Sequence, residues 1–328
     1  MMKVLVTGAN GFLGANLVHD LHLQGYDIRI IVRKGADLRS LQGVPCEVVY
    51  GNIDNQQDVL AAVEGCGVVL HAACITGQWS IPFEEYERVN FTATKYIADA
   101  CLQLGVKRLV YVSTANTMAP GSKAAPGSEL GGFTLFRANS GYINSKYLAQ
   151  QYVLEMVAGK GLPAVVVNPT FMIGPMDVKP SSGKLLLYGL RGSVVFYPSG
   201  GKNFVYIKDV SRGIINAITK GKAGDCYLLA GHNLSYREFF RLVQASAGKR
   251  KLLVPIPRFA LMLAGRAGSL IGKITRRSGK LSYTSSFLLC LGNYYTGKKS
   301  ERDLELEYTP MEVAVGSALQ WFKQNNYY

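Results

Sequence analysis

Histidine and tryptophan are scarce in this 328-residue chain, with four copies of the first and two of the second. No His or Cys cluster has metal-ligand spacing, so no metal site is expected. The six cysteines (Cys46, Cys66, Cys74, Cys101, Cys226, Cys290) are scattered, without a C-x-x-C pair. Several sit in apolar stretches, where a reduced thiol packs as a small hydrophobe. No apolar run approaches the roughly 18 residues needed to cross a bilayer. Residues 1–6 pass directly into a strand pattern, leaving no room for a signal peptide, so the expected compartment is the cytoplasm. Carboxylates are also in short supply, 22 against 36 Lys and Arg, for a formal net charge of +14. Such an excess can attract nucleic acid, an acidic membrane surface or anionic ligands, or merely favour solubility. Nothing matches a nucleic-acid module, and the cations do not interleave with aromatics in a repeated stripe. Nucleic acid is therefore not expected as a partner. The richest basic clusters are Lys249–Lys251 and Lys273–Lys280, on either side of an apolar helical stretch, Phe259–Ile271.

What is present is a 48% hydrophobic chain, long enough for a large α/β domain with a smaller lobe. Short apolar strands are expected at Lys3–Thr7, Asp27–Val32, Cys46–Tyr50, Gly67–Ala73, Arg108–Ser113 and Pro163–Asn168. Helical periodicity separates them at Phe12–Leu23, Gln56–Val63, Phe83–Leu104 and Gly141–Ala158. Such alternation implies βαβ crossovers and a doubly wound parallel sheet, the Rossmann architecture. After Pro169 the pattern loosens through Pro175, Pro180 and Ser181–Gly183. Strands are expected at Val194–Tyr197, Phe204–Ile207 and Tyr227–Ala230, with helices at Asp209–Thr219 and Tyr236–Ala247, the latter capped by Ser235. Residues 1–170 thus read as a dinucleotide-binding domain that also carries the catalytic groups. Residues 171–328 read as mainly a substrate lobe, with segments returning to the core.

Thr7-Gly8-Ala9-Asn10-Gly11-Phe12-Leu13-Gly14 joins the first strand to the first helix. Glycines at this spacing permit a tight turn, close approach of backbone to a pyrophosphate and helix-on-strand packing. The helix N-terminus then offers N–H groups to the anion. An NAD-selective site usually places an acid about 20 residues further on, to bind the ribose. Here that region reads Ile31-Val32-Arg33-Lys34-Gly35. Arg33, with Lys34 or Arg39 beside it, can pair with a ribose phosphate, so NADP is favoured over NAD. Further on, Tyr142-Ile143-Asn144-Ser145-Lys146 puts a phenol and an ammonium on one helix face. The cation can stabilise a phenolate and make the tyrosine a usable acid or base. The strand ending Val112-Ser113-Thr114 would place a hydroxyl at the same edge of the sheet to orient a carbonyl.

In this chain order the motifs resemble the extended branch of the short-chain dehydrogenase/reductase family. The likeness also includes His71-Ala72-Ala73, Val89-Asn90, Asn168-Pro169-Thr170-Phe171-Met172-Ile173-Gly174-Pro175 and the stretch Gly200–Val210. It implies Tyr142 as acid/base, Lys146 as the group that grips the nicotinamide ribose, and Thr114, where many members have serine, as the substrate-orienting hydroxyl. Thr7, Gly8, Gly11, Phe12, Leu13, Gly14, Ala72, Ala73, Ser113 and Pro169 would line the cofactor cleft. Asn52, where relatives usually have aspartate, and Ile53 would meet the adenine. Asn90 would hold its helix against the catalytic strand or be a buried structural amide, and His71 reads as a packed strand-end residue. The family commonly pairs through helices equivalent to 83–104 and 141–158, which implies a homodimer.

Within that branch the pattern looks most like dihydroflavonol-reductase-like and aldehyde-reductase-like members, which reduce a small-molecule carbonyl with NADPH. Nucleotide-sugar epimerases and dehydratases generally use NAD and carry an Arg-Asp pair where this chain has Lys202-Asn203. A hydroxysteroid-dehydrogenase-like enzyme is a third reading. There Phe259–Arg266 and the basic segment after it would lie on an anionic membrane, or the helix would simply close the substrate pocket. A non-catalytic dinucleotide sensor is a fourth, against which stand both Tyr142 and Lys146.

Overall fold

The computed structural model describes residues 2–77, 81–138, 140–275 and 282–328. In chain order the first half contains β1 (Lys3–Thr7), α1 (Phe12–Leu23), β2 (Asp27–Val32), β3 (Glu47–Tyr50), α2 (Gln56–Val63) and β4 (Val68–His71). A helical run follows as α3 (Phe83–Tyr86), a π-helical turn (Glu87–Thr92) and α4 (Ala93–Gln103), then β5 (Arg108–Val112), α5 (Gly141–Lys160) and β6 (Ala164–Pro169). The second half contains β7 (Phe171–Ile173), α6 (Gly183–Tyr188), β8 (Val194–Pro198), β9 (Gly201–Tyr206), α7 (Ile207–Thr219), β10 (Cys226–Leu229), β11 (His232–Ser235) and α8 (Tyr236–Ser246). It ends with β12 (Leu252–Ile256), α9 (Arg258–Thr275), α10 (Tyr283–Cys290), β13 (Gly292–Asn293), α11 (Lys298–Asp303) and α12 (Met311–Gln324).

Seven strands form one parallel sheet in the order β3-β2-β1-β4-β5-β6-β10. Strand order reverses between β1 and β4, the position where open α/β sheets leave a crevice at their carboxyl ends. Continuous apolar runs suit strands covered on both faces: Val4, Leu5 and Val6 are wholly buried, as are Val165, Val166 and Val167. One face packs against α1 and α7 through Leu17, Leu21, Ile214 and Ile218. The other packs against α2, α4 and α5 through Val59, Ile97, Cys101 and Val153. The chain past residue 170 contributes the edge strand β10 and the covering helix α7 to this core. The smaller lobe has its own core, in which Phe204 stacks on Phe239 at 4.2 Å beside Leu186, Val315 and Phe322.

The single helix expected at Phe83–Leu104 is interrupted by the π turn, whose wider winding turns Asn90 fully inward. Ser235 caps α8 as expected and does so in a full capping box with Glu238. β7, α6, β11, β12, β13, α10 and α11 are two to eight residues long in a turn-rich stretch and carry too little periodicity to be read from sequence. Helix α12, by contrast, buries Met311, Ala314, Val315, Ala318, Leu319 and Phe322 at helical spacing and was not among the expected helices. Of the expected basic segment Lys273–Lys280, residues 276–280 lie outside the described residues.

Candidate active site

The glycine turn closes on itself through the Gly11 N–H, which donates to the Gly8 carbonyl at 3.0 Å. Gly8 has φ +70°, and a Cβ there would lie 2.7 Å from the Ala73 backbone. A Cβ on Gly14 would lie 2.0 Å from the Gly8 carbonyl oxygen. The turn is therefore wedged between β4 and α1, and only hydrogen atoms fit at those two positions. Helix α1 starts at Gly11 with no side-chain cap, which leaves its first N–H groups to an anion. Phe12 and Leu13 form that first turn, with Leu13 buried in the core. The cradle fits a dinucleotide pyrophosphate.

Thr7 anchors the floor of the crevice through a chain of buried polar groups. The Ala73 N–H donates to Thr7 Oγ1 at 3.2 Å, and Thr7 Oγ1 lies 2.7 Å from His71 Nδ1. His71 Nε2 lies 3.0 Å from Thr94 Oγ1, whose hydroxyl donates to the Asn90 carbonyl at 2.7 Å. Only one proton order satisfies every member: Thr7 donates to Nδ1 and Nε2–H donates to Thr94. His71 is thus neutral, its pKa pushed down to about 3 by burial and by the Lys146 charge. Its role is structural, tying β1 and β4 to α4.

Asn90 joins the loop after β4 to the catalytic helix. Its Oδ1 accepts from the Ile75 N–H at 2.7 Å, and its Nδ2 donates to the Ile75 carbonyl and to Ser145 Oγ, both at 3.1 Å. Ser145 precedes Lys146 on α5, so the π turn sets the height of that helix over the crevice.

Lys146 is 1% exposed, with its Nζ donating to the Val112 carbonyl at 2.7 Å and lying 4.3 Å from the Tyr111 ring centroid. No carboxylate faces it among the described residues, and burial lowers its pKa to about 8 while Cys74 opposes the shift. Tyr142, one turn earlier, is raised above the ordinary phenol range by burial and by Cys74, and the Thr114 hydroxyl bonded to it acts the other way. Thr114 and Ser113 follow β5 and are 6% and 5% exposed. The phenol, the hydroxyl and the ammonium expected from sequence are therefore brought together at the carboxyl edge of β5.

The charged end of β2 is arranged differently from the expectation at one residue. Arg33 and Lys34 are exposed just past the strand, and neither meets a carboxylate among the described residues. Arg39 instead grips Asp37 through both carboxylate oxygens, at 2.7–3.2 Å, and holds that carboxyl down to about 2. That pair lies at the surface, with Arg39 exposed. Asn52 is exposed after β3, its N–H donating to Asp58 Oδ2 at 2.8 Å, while Ile53 packs on the core. Pro169 ends β6, buried, with Ala72 and Ala73 across the crevice after β4.

Three positioning groups were given no role by the sequence reading. Asn168 Nδ2 donates to the Thr114 carbonyl at 3.1 Å, to Thr117 Oγ1 at 3.0 Å and to Gln150 Oε1 at 2.8 Å. Thr117 Oγ1 lies 2.8 Å from both the Thr114 carbonyl and Gln150 Oε1, and its single hydroxyl hydrogen serves one or the other. This knot fixes the Thr114 turn to β6 and to the helix carrying Tyr142 and Lys146. Its only sequence signal is that Gln150 lies one further turn along the Tyr142–Lys146 face. Lys202, which stands where the nucleotide-sugar enzymes carry arginine, has its ammonium 5.3 Å from the Phe171 ring centroid, and burial lowers its pKa to about 8. Asn203 is structural, bonded to Thr170, Asn233 and the Tyr295 carbonyl.

An arrangement of this kind defines a nicotinamide-dinucleotide oxidoreductase of the short-chain dehydrogenase/reductase class. Residues 4–230 match the model of the NAD dependent epimerase/dehydratase family, and the chain belongs to that family. It is 28% identical to a putative dihydroflavonol 4-reductase of Synechocystis over 98% of this chain and 95% of that protein. It is also 28% identical to the sterol demethylase protein B of Methylococcus capsulatus, over 98% and 99% of the two chains. Among solved structures, gox2253 superposes with a TM-score of 0.89 at 27% identity, covering 99% of each chain. The protein is thus an NAD(P)-dependent oxidoreductase with the Rossmann fold of the extended branch.

Proposed function

We propose that the protein reduces a carbonyl group on a small organic molecule with NADPH. The observation that carries this reading is the neutral Tyr142 phenol beside the Thr114 hydroxyl, with the Lys146 ammonium one helical turn away. A bound nicotinamide supplies the hydride. Thr114 donates to the substrate oxygen and orients the carbonyl, Tyr142 delivers the proton to that oxygen, and Lys146 stabilises the phenolate left behind. With a cofactor bound, Lys146, whose Nζ donates here to the Val112 carbonyl, would be the residue to hold its ribose hydroxyls. The names of the relatives, a dihydroflavonol reductase and a sterol-processing protein, support ketone or alcohol chemistry on polycyclic or lipid-like molecules. An epimerase reading has less support, because Lys202-Asn203 replaces the Arg-Asp pair and Asn203 is engaged within the fold. A panel of aldehydes, ketones and nucleotide sugars with NADPH tests the proposal. Net loss of reduced-nicotinamide absorbance with a carbonyl supports it, and sugar interconversion without net loss contradicts it.

The NADP preference rests on Arg33 and Lys34, exposed beside the glycine turn where an acid would favour NAD. Arg33→Ala is expected to raise KM for NADPH by about tenfold, the weight of one charge-assisted pair, with KM for NADH nearly unchanged. Equal use of NADH and NADPH by the unaltered enzyme would overturn the preference.

The pH dependence follows from Lys146. Its ammonium is needed to stabilise the phenolate, and burial brings its pKa to about 8. Reduction should hold a plateau below that pH and decline above it, while Tyr142, raised by burial, remains a proton donor throughout. The limb should vanish in Lys146→Met, leaving a low, flat rate. A decline that begins well below neutrality would point to a different group.

Free thiols at all six cysteines support a reducing cytoplasmic setting. The outer faces of α4 and α5, where Leu148 is 42% exposed and Lys95 lies over the Phe91 and Tyr152 rings at 5.6 and 5.4 Å, support pairing of two copies there.

A further inference from the structure

Among the described residues no helix is long and apolar enough to cross a membrane, yet one surface of the substrate lobe is built against the usual rule for helices. On α9, Leu261 and Gly265 face inward, Gly265 pressing on Ser286 of α10. The opposite side carries Phe259, Leu263 and Leu270, which are 76%, 66% and 61% exposed. At a helical 100° per residue these three fall within about 40° of one another, with Arg266 in the same stripe. The preceding ribbon continues the pattern. Val194 and Leu252 are cross-strand partners, and Phe196 lies two residues along from Val194 on the same side. They are 40%, 63% and 50% exposed, and Pro257 alone separates β12 from α9.

Charge sorts to the same region. From Phe239 to Ser300 the chain holds twelve Lys and Arg and no Asp or Glu, so twelve of the fourteen net positive charges originate there. Lys249 and Arg250 flank the ribbon, and Arg258 and Arg266 flank the helix stripe, all four exposed. Exposed leucine and phenylalanine flanked by cations, on a stretch of chain that carries no carboxylate, match the chemistry of an anionic bilayer: apolar groups enter the acyl boundary and cations stay with the headgroups. A protein partner of ordinary composition would leave that charge unbalanced.

We propose that the face formed by α9 and the β8–β12 ribbon docks reversibly on an anionic lipid bilayer. Helix α10, against which α9 packs, also meets the turn Leu135–Ala138 that leads into the Tyr142 helix, so the docking face is joined to the catalytic helix through one intervening element. The proposal does not depend on which reaction the site performs.

Vesicle flotation tests it, with phosphatidylcholine alone and with phosphatidylcholine containing about one-third phosphatidylglycerol. The expected result is flotation with the anionic vesicles only, weakened at least tenfold in 0.5 M salt. The triple variant Phe259→Ser, Leu263→Ser, Leu270→Ser and the pair Lys249→Glu, Arg250→Glu should each lose it, with NADPH affinity retained as proof of folding. Absence of flotation on anionic vesicles overturns the proposal, as does equal flotation on neutral ones. So does a self-associating chain, seen by light scattering, that becomes monomeric in the triple variant without any vesicle binding. Because NADPH affinity and turnover are read separately, failure here leaves the carbonyl-reductase reading standing, and the reverse also holds.

Discussion

Tyr142→Phe is expected to lower kcat for carbonyl reduction by roughly 100- to 10,000-fold, the usual weight of a positioned general acid. NADPH affinity should change little. The phenyl ring that remains fills the same space, and the helix beneath it is held by groups the substitution does not touch. Ser140 caps α5, Lys146 bonds to the Val112 carbonyl at 2.7 Å, and Gln150 bonds to Asn168 and Thr117. Only the proton donor is removed. Thr114→Val provides the companion measurement: with the orienting hydroxyl gone, the phenol still present should sustain a rate between those of the parent and Tyr142→Phe. Isothermal titration with NADPH and single-turnover kinetics separate binding from chemistry. If Tyr142→Phe retains more than a small fraction of activity, the acid lies elsewhere.

Gly14→Ala should abolish tight dinucleotide binding and lower the melting temperature. The new Cβ would sit 2.0 Å from the Gly8 carbonyl oxygen and 2.7 Å from the Ala9 Cα, and both neighbours are backbone. Neither can rotate away, so α1 must lift off the turn that aims its N–H groups. The strain is of the order of 1–3 kcal/mol or more, as for other over-packed sites. An affinity loss of about 100-fold follows if most of it falls on the bound state alone. Gly25→Ala is the control. Gly25 has φ +76° with nothing within 4 Å of an added methyl, so it carries a backbone penalty in open space. It should cost about 1–2 kcal/mol of stability and leave NADPH binding intact. Equal binding by Gly14→Ala and the parent would contradict the cradle.

The two substitutions also mark how much of the protein could be read from its sequence. β1, α1, β2 and α2 were legible to the residue, because apolar runs of strand length alternate with helical periodicity and glycine turns. The nearness of Tyr142, Lys146 and Thr114 was legible because phenol and ammonium share a helix face and the hydroxyl ends a strand, while the roles expected of them came from the family resemblance. The hydrogen-bonded knot of Asn168, Thr117 and Gln150 was not. Its members are distant in sequence and meet only when β6 is laid beside β5. The π turn was hidden as well, since one extra residue per turn leaves no mark in a pattern of period 3.6. Arg39 shows the opposite failure. Its charge suggested a phosphate ligand, and the structure adds a surface ion pair with Asp37, two residues away, that the sequence reading had not considered. Past Pro169 local pattern still marked β8, β10, α7, α8 and α9, but the other strands are of two to six residues and pair across long connections, which local pattern does not show.

The central claim is hydride transfer to a substrate carbonyl with Tyr142 completing the alcohol. NADPH deuterated at the transferring position, incubated with the carbonyl compound that the panel identifies, tests it most directly by mass spectrometry. The account predicts one deuterium on the carbinol carbon for each NADPH consumed, delivered to a single face, and none in Tyr142→Phe over the same period. A product without deuterium, or a nucleotide sugar interconverted while the nicotinamide pool stays unchanged, would contradict it.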